Sequence, residues 1–127
     1  MGSYLIDSNA VSDYLAGKLS DSATDFMNQL VDEQSVLSII LRIELLGFNA
    51  PKADADLLRD FVAESLVIDL NEEVILGTIA LRKSRKIKLP DAIIAATALV
   101  NNLTLLTHNT KDFAAIAGLT VMDSYAL

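Results

Sequence analysis

A chain of 127 residues, 52% hydrophobic and 21% charged, suits one domain (1–127) with a single core and excludes a disordered reading. It contains no cysteine, which removes disulfides, zinc–thiolate and iron–sulfur sites and thiol nucleophiles together. A net charge of −7 generally repels nucleic acid, but five of the ten Lys and Arg cluster as Arg82, Lys83, Arg85, Lys86 and Lys88, forming one basic patch.

The first seven residues lack the basic region and long apolar stretch of a secretory signal. The longest apolar run, 92–100, falls short of the roughly 20 residues a membrane span needs. A cytoplasmic protein with no membrane partner is therefore expected. Residues 4–7 read as a short buried strand. Ser8 and Asn9 can cap a helix running to about residue 16, where Gly17 stops it. A second helix covers 21–31, with Phe26, Leu30 and Val31 on one face. A strand is expected over 35–39 and a helix over 40–48, with Pro51 beyond its end. The next helix, 53–64, carries Leu57, Leu58, Phe61 and Val62 at helical spacing. Residues 66–70 are rich in β-formers. An amphipathic helix capped by Asn71 spans 71–85, and Pro90 suits the first turn of a helix reaching about 102. A strand over 103–107, a helical turn over 113–117 and a strand over 120–122 complete the chain. Strands alternating with helices imply an α/β fold, with a parallel sheet and helices on both faces.

Certain acids stand in apolar company. Asp7 ends the strand Tyr4-Leu5-Ile6. Glu44 shares a helix face with Ile40, Leu41 and Phe48, and Asp91 opens the apolar helix that continues Ala92-Ile93-Ile94-Ala95-Ala96. A carboxylate in such a place is costly unless something compensates it. Three from distant parts of the chain suggest one shared compensator, a divalent cation. In open parallel sheets the ligand site lies beyond the carboxyl ends of the strands. Asp7 ends one strand there, and His108, Asn109 and Asp112 follow the end of another. Oxygen ligands without cysteine favour Mg2+ or Mn2+ over zinc or copper. Other chemistries lack parts: one histidine cannot supply the acid–base pair of a two-histidine ribonuclease, and no nucleophile elbow, Walker or dinucleotide motif occurs.

Four segments then carry a resemblance. Leu5-Ile6-Asp7-Ser8-Asn9, Arg42-Ile43-Glu44-Leu45-Leu46-Gly47, Leu89-Pro90-Asp91-Ala92-Ile93-Ile94-Ala95-Ala96 and Leu106-Thr107-His108-Asn109-Thr110-Lys111-Asp112-Phe113 resemble, in order, the four motifs of PIN domains, in particular those of VapC toxins. The resemblance implies a three-layer fold with a parallel sheet of four to five strands. It also implies a metal-dependent endoribonuclease of a toxin–antitoxin pair. Asp7, Glu44 and Asp91 become its core acids and metal ligands, with Asp112 or Asn109 in the fourth place. Leu41 departs from the pattern, standing where such proteins often carry a small hydroxyl residue. Ser8, Thr107 and Asn109 would orient ligands or waters, while Arg82, Lys83, Arg85, Lys86 and Lys88 would hold RNA phosphates. The implied partners are an RNA substrate, a small VapB-like antitoxin and a second copy of the chain. Two alternatives use similar parts: a catalytically idle PIN-like binding module, and a phospho-receiver domain, for which Ser8 stands where a second early acid is usual.

Overall fold

The computed structural model describes residues 3–127. The chain runs β1 (Tyr4–Ile6), α1 (Ser8–Leu15), α2 (Asp21–Glu33), β2 (Val36–Ser38), α3 (Ile39–Gly47), α4 (Lys52–Ala63) and β3 (Leu66–Ile68). It continues through α5 (Glu72–Ser84), α6 (Leu89–Val100), β4 (Thr104–Leu106), a 3-10 turn at Thr110–Phe113, β5 (Val121–Met122) and a second 3-10 turn at Ser124–Ala126.

All strand pairs are parallel, in the ladders β1–β4–β5 and β2–β3. β1 packs directly beside β2 where the two ladders meet. This is the expected α/β architecture. Its coverage on both faces can be read from β1 alone. Leu5 and Ile6 are consecutive and so point to opposite faces, yet they are 0% and 1% exposed. Leu105 and Leu106 in β4 behave identically. Helix α6 is buried from Ala92 to Ala98, which explains why its sequence is apolar nearly all round. It pairs closely with α5, where Gly77 leaves room: a Cβ there would meet the Ala96 Cβ at 3.3 Å.

Local chemistry accounts for most boundaries. Asn71 caps α5 by accepting from the Val74 N–H at 2.9 Å, and Gly17, at φ +70°, ends α1. Three expectations need correction. Asp7, rather than Ser8 or Asn9, caps α1; its backbone is extended and its carboxylate accepts from the Ser8 N–H at 2.8 Å. The helical turn expected over 113–117 lies earlier, at Thr110–Phe113, because Phe113 is anchored in the core and Ala115 adopts φ +62°, which no helix continues through. Helix α5 is not cleanly amphipathic: it buries Val74 and Thr78 but leaves Leu76 57% exposed and Ile79 also in water.

Candidate active site

The register of the sheet brings the first site residues together. Ile6 pairs with Leu106, so the next residues, Asp7 and Thr107, emerge side by side at the carboxyl ends of β1 and β4. Thr107 is fully buried, and its hydroxyl donates to Asp7 Oδ2 at 2.8 Å. Asn9 Nδ2 donates to the same oxygen at 3.2 Å and to Thr107 Oγ1 at 3.1 Å, while Asn9 Oδ1 accepts from the His108 N–H at 2.8 Å. With the Ser8 N–H on Oδ1, the Asp7 carboxylate accepts three hydrogen bonds. Such bonds lower a carboxyl pKa. Burial nonetheless outweighs them, and the Asp7 pKa lies above its ordinary value.

Three further acids converge on this end from separate elements. β2 runs straight into α3, whose start is capped by the buried Ser38 hydroxyl, and Glu44 follows on that helix. Asp91 stands in the first turn of α6, behind Pro90. Asp112 lies in the 3-10 turn after β4. Partial desolvation on the α3 face raises the Glu44 pKa first, although the residue as a whole stays exposed, followed by the fields of Asp7 and Asp91. Asp91 is raised by burial, then by Asp112 and Asp7, and is lowered only partly by Lys88. Asp112 also adds its field to Asp7. Among the described residues none of these four carboxylates forms an ion pair. The structure thus gathers them into one electrostatic unit.

The unit is more open than the sequence suggested. Asp7 is buried, but Asp91 is half-buried and Glu44 and Asp112 are exposed, so the expectation of a Glu44 enclosed by apolar neighbours fails; Phe48 on the same face is itself 67% exposed. Among the described residues no group of three or more Asp, Glu or His side chains is arranged to enclose a metal ion as it stands. The donor set still fits a hard divalent cation in kind: its carboxylate oxygens are hard ligands, and among the described residues none of them is taken up by an ion pair.

The basic segment divides in two. Arg82, Lys86 and Lys88 line a cleft of ≈ 510 Å³ together with Ile87, Asp91, Lys111 and Asp112. Arg85 is occupied elsewhere, donating to the carbonyls of Ala114 at 3.2 Å and Ala115 at 2.8 Å and so holding the strained Ala115 turn. Lys83 is exposed on α5 outside the cleft. Arg82 also binds the Ile87 carbonyl, bracing the α5–α6 connection. Ser8 contributes its backbone N–H to Asp7, and Asn109 its backbone N–H to Thr107 Oγ1 at 3.0 Å. The sequence marks Asn9 as a helix cap and part of the first motif but not as the bridge between Asp7, Thr107 and His108, and it does not place Lys111 in the cleft. Their signals were their places two residues after Asp7 and one before Asp112. A second groove, lined by Ser8, Ser12, Glu44, Leu45, Phe48 and Leu58, opens beside Glu44 between α1, α3 and α4.

Residues 4–119 match the PIN domain family. No curated protein matches the chain. Among solved structures, a chain of a toxin–antitoxin complex from Klebsiella pneumoniae is 31% identical, with 97% of this chain and 98% of that chain covered and a TM-score of 0.75. A chain of VapBC-1 from nontypeable Haemophilus influenzae is 24% identical over 95% and 97%, TM-score 0.76. A chain of DNA-bound VapBC from Salmonella typhimurium is 19% identical over 98% and 99%, TM-score 0.79. The last two likenesses concern the fold alone.

Proposed function

The chain belongs to the PIN domain family, and from that premise we propose that it is the toxin of a VapBC-like pair, an endoribonuclease that hydrolyses RNA with Mg2+ or Mn2+ held by Asp7, Glu44, Asp91 and Asp112. PIN domains are generally nucleases. The observation that carries the proposal is that acids from separate chain segments lie close enough to raise one another's pKa, and among the described residues none of them has an ion-pair partner. A structural ion pair would lower these pKa values; here they rise.

Asp7, Glu44, Asp91 and Asp112 would hold the divalent ion, which when bound would acidify a water and offset charge on the phosphate oxygens. The protein's part is positional. Thr107, Asn9 and the Ser8 N–H hold the Asp7 carboxylate in one orientation. Lys86, Lys88 and Lys111 face the cleft beside Asp91 and Asp112, where they can hold backbone phosphates next to the acids. Attack of water oxygen on phosphorus breaks the P–O3′ bond, and with a proton delivered to O3′ the products are a 5′-phosphate and a 3′-hydroxyl.

The antitoxin half rests on the Klebsiella likeness and on the groove beside Glu44. Phe48 and the acids suit a peptide with an apolar anchor and a basic residue, since an Arg can pair with carboxylates bidentately. The exposed Leu76 and Ile79 on α5, and Ile43 and Leu46 on α3, support a homodimer. An idle PIN-like module is the second reading, favoured by the open spacing of the acids. Incubating purified protein with total cellular RNA, with Mn2+ or with chelator, and mapping new 5′ ends separates the two. Metal-dependent ends that vanish in Glu44→Gln are expected; no cleavage under any condition leaves the idle module. Light scattering checks the dimer, and co-purification with a small co-expressed antitoxin checks the partner.

A further inference from the structure

One feature at the site's edge has no part in the chemistry above. The His108 and Tyr125 rings stack with centroids 3.7 Å apart and planes 19° from parallel. Each ring covers one face of the other, and both stay in water: Tyr125 is 52% exposed and the His108 side chain 45%. Hydrogen bonds hold the pair from both sides. Asp123 Oδ1 receives both His108 Nδ1, at 3.0 Å, and the Tyr125 N–H, at 2.9 Å, while the Tyr125 hydroxyl donates to Asp13 Oδ2 at 2.8 Å. It also adjoins the acids, because Asn9 binds the His108 backbone with one end of its amide and Asp7 with the other.

We propose that the stacked His108–Tyr125 pair is a nucleobase platform, on whose open side one unpaired base of the RNA substrate stacks while its backbone phosphate lies at the acids. The inference rests on the ribonuclease reading and adds a binding site to it. Bases have a π face whatever their identity, so single strands are commonly held by exposed aromatic rings. A preset ring pair binds with little loss of side-chain freedom. Charge divides the labour. The carboxylates nearest the rings, Asp13 and Asp123, repel phosphate and are already hydrogen-bonded, whereas the cations line the separate cleft beside Asp91 and Asp112. The competing explanation is a clasp that fastens residues 123–126 to α1. A clasp depends on the Tyr125 hydroxyl; a platform depends on the ring.

The test uses the full chain carrying Glu44→Gln, so that bound RNA stays intact. The probe is a single-stranded oligoribonucleotide containing 2-aminopurine, whose emission falls when the base stacks. The parent protein should bind and quench the probe. Tyr125→Leu, which keeps bulk but loses the π face, should raise Kd on the order of tenfold and abolish the quench. Tyr125→Phe, which loses only the Asp13 bond, should keep both. His108→Leu serves as the second variant should Tyr125→Leu fail to fold in a thermal melt, and should behave as Tyr125→Leu. Equal quenching by the Leu variants overturns the platform, as does a loss in Tyr125→Phe as large as in Tyr125→Leu. A parent that neither binds nor quenches overturns it too. A parent that quenches while the wild-type protein never cleaves RNA leaves the platform standing and removes the ribonuclease reading.

Discussion

Ile6 and Asp7 are consecutive and almost equally buried, at 1% and 5% exposure, yet they act on the fold in opposite directions. Ile6 and its partner Leu106 belong to strand interiors closed on both faces, where every methylene removed from water stabilises the protein. One residue later the same strands present carboxyl and hydroxyl groups to a shared rim. There burial and like charge push pKa values up, so the ionised rim opposes folding at neutral pH. The strand interiors thus stabilise the fold, and the strand ends carry the acids at an energetic cost.

The contrast is open to attack from either side. The largest effect is expected in the interior: Leu105→Ala should cost about 2–5 kcal/mol in chemical denaturation, while the folded fraction cleaves RNA at the normal rate. A loss of activity per folded molecule would mean that interior and rim are not separable. At the rim, Asp91→Asn should lower cleavage by about 10²–10³-fold, the range seen when one group stabilising developing charge is removed. The same variant should melt no lower than wild type without metal. Between the two regions lie the cleft cations. Lys86→Ala with Lys111→Ala should reduce the slope of log affinity against log salt by about 1.4, two contacts at about 0.7 each on a single strand. Arg85→Ala should leave that slope unchanged, because its guanidinium holds the Ala114 and Ala115 carbonyls.

The smallest effect is on pH. Asp7, Glu44 and Asp91 have folded pKa values above their unfolded ones, so the folded state binds protons more tightly. Their destabilisation is complete above the folded values and is relieved as pH falls through them. Asp56 and Asp123 are shifted down by Lys52 and His108, so their contribution is lost only below about pH 4. In chelator, the melting temperature should therefore rise as pH falls from neutral toward the ordinary carboxylate range, and rise less in Asp7→Asn. A fall over that window would contradict the electrostatic picture of the rim.

The strands and most helices were legible because their signals are local: Val and Leu runs, the Asn71 cap, Gly17 and Pro90 all act within a few residues. The acids were legible for a related reason, since a carboxylate in an apolar run is conspicuous without knowing its neighbours. What stayed hidden depends on chain segments far apart. Asn9 reveals its role only when β4 brings Thr107 and His108 beside it. Arg85 looked like one more cation until Ala114 and Ala115 folded against it. Glu44 looked buried because helical spacing identifies the face it shares but not whether anything covers that face.

The four acids are proposed as one metal site although, among the described residues, no three of them enclose an ion as they stand. Calorimetric titration of Mn2+ into wild type, Asp7→Asn, Glu44→Gln, Asp91→Asn and Asp112→Asn tests it most directly. The expected result is saturable binding by wild type and affinity lower by at least about tenfold, or 1.4 kcal/mol, in each variant, as the proposal that all four hold metal requires. Absence of binding by wild type, or wild-type affinity in Glu44→Gln and Asp91→Asn, would contradict it.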